Sequence, residues 1–361
     1  MRINYLALRN FRNYIAVDLE FPPGTSVFAG FNGQGKTNLL EGIYYLLHGR
    51  SYREGELIRW GERYFHLEGE FALGERNIHI EAYSQGRRKV MKVNGSPVRK
   101  LSEYLGTVNA VSFAPDDLTL VKGGPSERRK FLDQHIAQIQ PRHIAILNSY
   151  NKALQQKNAL LKTNLTLRDK QQQISLWNEQ LVNFGCKIIA NRMELVEPLA
   201  QCTAEIYSEI SGRRERFGML YRSLGKNDAR EAIALFPSFL QDKQSEEIER
   251  RISFLGPHRD DLYFRLGDKP ARLYASQGQQ RSIVLSLKLA QMRLIKDLKS
   301  EYPLLLLDDV LSELDKERQE FLLSFIRTAN IQTLLTMTNG EKFPGNSAVF
   351  YVEEGKIRRK V

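Results

Sequence analysis

Ala29-Gly30-Phe31-Asn32-Gly33-Gln34-Gly35-Lys36-Thr37-Asn38 is the stretch whose reading decides the fold. From Gly30 to Thr37 it spells Gly, four spacers and Gly-Lys-Thr, the phosphate-cradling template. Its flanks supply the context that the template requires. Thr25 to Ala29 reads as a short buried strand, and Asn38 to Leu47 carries Leu39, Ile43, Leu46 and Leu47 at helical spacing, so the loop joins a strand to a helix. Glycines let backbone N–H groups approach a β-phosphate, and a helix N-terminus favours negative charge. Lys36 is expected to bridge the β- and γ-phosphates and Thr37 to ligate magnesium, which makes ATP and Mg the expected cofactors. The expected nucleotide-binding residues are Gly30, Phe31, Asn32, Gly33, Gln34, Gly35, Lys36, Thr37 and Asn38. A Gly-rich turn with a chance Lys-Thr fits the same template, so the rest of the chain has to discriminate.

The C-terminal third does so. Leu304-Leu305-Leu306-Leu307-Asp308-Asp309 is an uninterrupted apolar strand, as in a parallel sheet buried on both faces, with two acids at its carboxyl end. Ligands of open α/β sheets bind at that end. Asp308 is placed to hold magnesium through water, and Asp309 to polarise the water that attacks a γ-phosphate. Upstream, Ser276 and Gly278 sit in Ala275-Ser276-Gln277-Gly278-Gln279-Gln280-Arg281, just before an apolar-periodic helix of Ile283, Leu285, Leu287, Leu289, Met292 and Ile295. A hydroxyl, open N–H groups and the helix dipole make a second anion site, although Ser276 alone is equally an ordinary helix cap. Gly256-Pro257-His258-Arg259-Asp260-Asp261 invites a metal reading, but adjacent side chains of an extended segment cannot converge on one ion, which favours structural hydrogen bonding.

The chain has 361 residues, 42% of them hydrophobic and 26% charged, which are globular values and leave room for an inserted piece within one large domain. No apolar run approaches the roughly eighteen residues of a membrane span, and Met1 to Asn10 moves directly into strand-like sequence, so a cytoplasmic protein is expected. Cys186 and Cys202 have neither metal nor redox spacing and read as reduced, packed thiols. A net charge of +11 favours a polyanionic partner, nucleic acid ahead of membrane. Basic clusters recur at Arg87-Arg88-Lys89, Arg128-Arg129-Lys130, Arg213-Arg214 with Arg216, Arg250-Arg251 and Arg358-Arg359-Lys360. Each of them singly is compatible with a solvated face.

Arg2 to Leu8 and Ala16 to Phe21 alternate as paired strands about an Asn10 to Tyr14 turn. His66 to Leu73, Asn77 to Ser84 and Lys89 to Val93 read as a meander with Asn94-Gly95 as a two-residue turn, and Val108 to Phe113 as a further strand. From about Ser126 the composition turns to Gln, Asn, Lys and Leu. Ile174 through Ile210 keeps a three-or-four spacing worth about 55 Å of helix, with Pro198 expected to kink or end it. Ile144 to Leu161 is its expected antiparallel partner. The pair is either an arm that contacts DNA or a partner, or a helical subdomain closing its own core.

With these stretches in view, the three motifs resemble those of ABC-type ATPases of the SMC-like branch, and the details resemble the RecF family end to end. Asn10-Phe11-Arg12-Asn13-Tyr14, Gly30 to Thr37, Phe113 to Leu118, Gly124 to Arg129, Gly256 to Asp261, Ser276 to Arg281 and Leu306 to Asp315 carry the resemblance. It implies an α/β fold: an ABC-type ATPase head with an N-terminal antiparallel β-lobe and an inserted helical arm. The head is expected at 1–125 and 252–361 and the arm at 126–251. By resemblance, Ser276, Gln277 and Gly278 form a signature reaching the γ-phosphate on the opposite subunit, and Ser312-Glu313-Leu314-Asp315 crosses the interface of an ATP-dependent homodimer. The catalytic set is then Lys36, Asp309 and Ser276. The implied function is ATP-dependent binding to single-stranded, gapped or junction DNA in recombinational repair and replication, with slow, DNA-stimulated ATP hydrolysis and with RecR and RecO helping to load RecA. Asp309 stands where most relatives of the superfamily have Glu, and Thr336-Met337-Thr338 where many have a switch histidine, so a hydroxyl is expected to sense the γ-phosphate. No sensor glutamine is evident at Phe113 to Asp117. Two other classes share features of the sequence: the energy-coupling subunit of a transporter, and a scaffold with a degenerate nucleotide site.

Overall fold

The computed structural model describes residues 1–51, 56–86, 88–338 and 347–360, so Arg87 of one basic cluster lies outside the described residues. In chain order the elements begin with β1 (Arg2–Phe11), β2 (Tyr14–Glu20), β3 (Thr25–Ala29), α1 (Lys36–His48), β4 (Phe65–Leu73), β5 (Arg76–Gln85), β6 (Arg88–Val93), β7 (Ser96–Val98) and β8 (Ala110–Phe113). There follow α2 (Thr119–Lys122), α3 (Pro125–Ile139), α4 (Arg142–Leu161), α5 (Leu167–Ile210), β9 (Phe217–Arg222), α6 (Ala229–Asp242), α7 (Gln244–Arg250), β10 (Asp261–Leu266), β11 (Lys269–Pro270) and α8 (Ala271–Tyr274). The chain closes with α9 (Gln277–Lys299), β12 (Leu304–Asp308), α10 (Val310–Glu313), α11 (Lys316–Thr328), β13 (Thr333–Met337), β14 (Ala348–Glu353) and β15 (Lys356–Arg359).

Two compact units result, Met1–Asp117 with Val284–Val361, and Leu118–Ile283. The first holds two six-stranded sheets. One is antiparallel, in the order β2-β1-β4-β5-β6-β7, and contains the hairpin and meander expected from alternation. Asn94 and Gly95 turn it at φ 49 and 76, the left-handed region that a two-residue hairpin demands. The other has the order β15-β14-β3-β13-β12-β8 and is parallel except for β15. Leu304 to Leu307 are buried in it between β13 and β8, as an apolar run without alternation requires. Helix α1 buries Leu39, Leu40, Ile43, Leu46 and Leu47 and packs against strands of both sheets. Its start is thereby set at the carboxyl ends of β3 and β12.

In the second unit α4 and α5 pair as a hairpin whose core contains Tyr150, Ala153, Leu181 and Ile188. Pro198 does not end α5, which runs 44 residues, about 66 Å. The carbonyl that proline deprives of its donor is that of Glu194, and both residues are exposed, so water can take over the lost bond. Gly256 to Asp261 packs under this hairpin through a buried polar network. Arg192 donates to both carboxylate oxygens of Asp133, at 2.9 and 2.8 Å, and to Pro257 O at 2.7 Å. Burial opposes charge on Asp133, yet Arg192 and His143 hold its pKa below the usual value. Tyr221 bonds Asp260, and Arg128 grips Asp261 with two bonds, at 2.7 and 3.0 Å. Burial pushes the His258 pKa down to about 4, so the ring is neutral and its Nδ1 accepts from Tyr150 OH at 2.7 Å. A Cβ at Gly256, where φ is 132, would stand 2.2 Å from that hydroxyl. The stretch is structural, and no group of three or more His, Cys, Asp or Glu able to hold a metal occurs among the described residues.

Candidate nucleotide site

The first unit brings Gly30 to Asn38, Asp308 and Asp309 to one end of the parallel sheet. Each glycine of the loop has its own cause. A Cβ at Gly30 would stand 2.3 Å from Val352 O; Gly33 adopts φ 82; Gly35 adopts φ 117 and would meet Asn13 Nδ2 at 2.6 Å. Lys36 is buried, with Nζ donating to Gly30 O at 2.7 Å and Phe31 O at 2.9 Å, which curls the loop around the ammonium. Burial lowers its pKa, partly offset by Asp309 and Asp308. Phe31 is 83% exposed on the rim of this loop.

Thr37 Oγ1 donates to Asp308 Oδ1 at 2.8 Å, joining positions 271 residues apart in sequence. Thr336 Oγ1 donates to the same oxygen at 2.8 Å and accepts from Asp309 N at 2.9 Å. Asp309 has φ 52, a left-handed conformation that costs a non-glycine residue energy and persists only where neighbours hold it. Thr336 is one such neighbour. One of the two hydroxyls of the Thr336 to Thr338 stretch, that of Thr336, is therefore engaged by the Asp308 carboxylate and the Asp309 backbone N–H.

The turn Asn10 to Tyr14 clasps the loop from the outside. Asn13 Nδ2 donates to Gln34 O at 2.9 Å, Asn38 Nδ2 to Asn13 Oδ1 at 2.8 Å, and Tyr14 OH to Gly35 O at 2.9 Å. Gln34 is also held by backbone N–H groups of Glu354 and Gly355, at 2.7 and 3.1 Å. Arg12 makes two bonds to the buried Glu41 of α1, at 2.9 and 2.8 Å, and Ser51 bonds the same carboxylate. The turn thus fixes both the loop and the helix it opens.

Ser276 and Gly278 belong to the second unit, where Ser276 caps α9. Its Oγ accepts from Gln279 N at 3.2 Å, and Gln279 Oε1 accepts from Ser276 N at 2.6 Å, a reciprocal cap. Gln279 Nε2 donates to Glu215 Oε1 at 2.5 Å, and Tyr207 OH at the end of α5 donates to Glu215 Oε2 at 3.1 Å. The cap uses the serine as acceptor and leaves its O–H proton able to donate outward.

The sequence model described as RecF/RecN/SMC N terminal domain matches residues 2–356. The chain is 52% identical to the DNA replication and repair protein RecF of Desulfitobacterium hafniense, over 99% of this chain and 100% of the relative. The chain belongs to the RecF family. RecF of Natranaerobius thermophilus is 41% identical, over 99% of this chain and 97% of its own. A solved structure of the recombination mediator protein RecF with ATP in the RecFOR pathway is 31% identical and superposes with a TM-score of 0.91, covering 99% of this chain and 97% of that one. An Smc head bound to the C-terminal winged-helix domain of ScpA superposes at 0.59 with 17% identity, a likeness of fold alone, and covers 100% of this chain and 97% of that one. These matches bear out the ABC-type α/β head of the SMC-like branch and give the transporter reading no support. No helix among the described residues is long and apolar enough to cross a membrane.

Within the RecF frame, sequence reasoning missed the holding roles of Asn13, Tyr14 and Thr336. The first two lie inside a quoted motif with no role attached, and the stretch Thr336 to Thr338 reads only as a source of a phosphate-sensing hydroxyl. Nothing local indicates that β13 and β12 run in register with Thr336 opposite Asp308.

Proposed function

We propose that the chain is an ATP-dependent DNA-binding protein of replication and recombinational repair that dimerises on single-stranded, gapped or junction DNA and works with RecR and RecO in loading RecA. The observation that carries the nucleotide half is the contact of Thr37 with Asp308, which puts a hydroxyl and a carboxylate side by side next to Lys36. Two hard oxygens suit Mg, which takes few protein ligands and completes its shell with phosphate and water. Lys36, the N–H groups of Gly33 to Thr37 and the start of α1 fit the phosphates of ATP. Bound there, ATP with its magnesium would supply the phosphoanhydride whose cleavage releases the dimer. Asp309 orients and deprotonates the attacking water, one methylene shorter than Glu, which fits slow turnover. Ser276 and Gly278 serve the nucleotide of the opposite subunit. The DNA half is supported by the net charge of +11 and by the named relatives.

Asp309→Asn keeps the ligands of Mg and the fold but removes the acceptor for the water proton. Hydrolysis should fall at least about 100-fold, the range of a positioned general base, with ATP affinity unchanged and the ATP-bound dimer persisting. Phosphate release at the wild-type rate would exclude Asp309 as the base. The Thr336 bonds give a second, smaller expectation. Thr336→Val deletes the acceptor for Asp309 N and the donor to Asp308 at equal size. Turnover should drop about tenfold with little change in ATP affinity, and Thr336→Ser should restore it. A serine variant as slow as the valine would show that the methyl, not the hydroxyl, matters.

A further inference from the structure

The three-stranded sheet of the second unit, in the order β11-β10-β9, has one packed side and one open side. Leu220 pairs with Tyr263, Arg222 with Asp261 and Gly218 with Arg265, and residues directly opposite share a face. Phe217, Tyr221, Leu262 and Phe264 fill the other side, where Phe217 lies 6.0 Å from Phe264 and 5.6 Å from Tyr207 of α5. The open side presents Tyr263, 42% exposed, beside Leu220, 37% exposed. Arg222 and Arg265 are exposed at its two ends, Arg213, Arg214 and Arg216 lead into it, and Lys269 edges it.

Asp268 is the carboxylate that opposes its charge, and Arg265 also donates to the carbonyl of Asp268, at 2.9 Å, and Arg222 to that of Gly225, at 3.1 Å. Asp261 turns both oxygens to Arg128, Glu215 is held by Gln279 and Tyr207, and the fully exposed Asp268 stands 3.7 Å from Arg265. Packing does not demand a glycine at 218, because a Cβ there would meet only Arg265 Cβ at 3.9 Å. Its bare backbone leaves a flat shelf diagonal to the tyrosine. An aromatic ring and an aliphatic neighbour on an open sheet, bracketed by arginines, form a platform for an unpaired base with its two flanking phosphates. A duplex keeps its bases stacked inward and would leave the ring unused.

We propose that this face binds a single-stranded stretch of DNA, with one base stacked on Tyr263 and adjacent phosphates held by Arg222 and Arg265. The proposal rests on the DNA-binding reading above and gives it a surface. The test is fluorescence anisotropy of the full chain with ATP and magnesium, using labelled oligo-thymidylate and a labelled duplex. Tyr263→Ala should weaken oligo-thymidylate binding about tenfold, with duplex binding and ATP affinity unchanged, and Tyr263→Phe should stay within about twofold of wild type. Arg222→Gln combined with Arg265→Gln should lower the slope of log affinity against log salt by about 1.4, at roughly 0.7 per single-strand phosphate. Wild-type affinity in Tyr263→Ala overturns the proposal. Equal losses for both oligonucleotides would make the face a duplex phosphate contact, and loss of the ATP-dependent dimer by light scattering would make it a contact between copies; each result refutes stacking here. A wild-type chain that retains neither oligonucleotide would sink the DNA-binding reading itself.

Discussion

Lys36→Ala is expected to abolish ATP-dependent DNA binding and to weaken ATP itself by about 30-fold or more, while leaving the folded chain as stable as the wild type within about 1 kcal/mol. A charge-assisted bond to phosphate contributes about 1.5–3 kcal/mol, and Lys36 is placed to reach two phosphates. Stability is spared for a reason visible in the surroundings of the side chain. The ammonium is buried against two carbonyl oxygens, and its lowered pKa shows that burial outweighs the attraction of Asp308 and Asp309. Removing a poorly compensated charge costs the fold little, because what is lost was partly unfavourable. Gly30 O and Phe31 O lie on a loop with an exposed rim, so water can replace the ammonium. Nucleotide titration and thermal unfolding separate the two effects. An unchanged ATP affinity would remove Lys36 from the phosphate site; a large drop in stability would make it a structural residue.

What the sequence made legible is what a short window contains. The strand, glycine loop and helix at residues 25–48 are written locally, because positive φ at Gly33 and Gly35 and the apolar stripe of α1 each depend on a few neighbours. Leu304 to Asp308 was readable as a parallel, doubly buried strand for the same reason. Contacts fixed by register between distant strands were not readable. Thr336 reaches Asp308 only because β13 lies beside β12, and Asn13 reaches Gln34 only because a turn between β1 and β2 meets the loop. The composition change at about Ser126 and the family resemblance placed the arm at 126–251, whereas the compact second unit runs from Leu118 to Ile283. Strand β9 explains much of the offset: its partner β10 comes after the turn at Gly256, so the sheet ties that turn and its neighbours to the helices. That Pro198 does not end α5 was not readable, because a proline's cost depends on whether its orphaned carbonyl is wet, a property of the folded surface.

Ser276→Arg is expected to abolish ATP-driven dimerisation, hydrolysis and stable DNA retention together, while ATP binding to the same chain survives. In the shared-site reading the serine hydroxyl donates to the γ-phosphate held by the opposite subunit. The reciprocal cap with Gln279 occupies its acceptor side and leaves the proton for that bond. Arginine removes the hydroxyl and sets a long cation at the start of α9, where the helix dipole disfavours it. The cap lost is worth about 1 kcal/mol, too little to unfold the chain. The lesion also lies far in sequence from Gly30 to Asn38, so Lys36 and Thr37 of the mutated chain still meet their own nucleotide. Light scattering with ATP and magnesium decides the matter, with Ser276→Ala as the control that loses the same cap without adding bulk or charge. The alanine variant should dimerise weakly and the arginine variant not at all. A dimer of wild-type stability in Ser276→Arg would exclude a nucleotide shared across the interface, and loss of ATP binding by the monomer would put Ser276 beside the loop of its own chain.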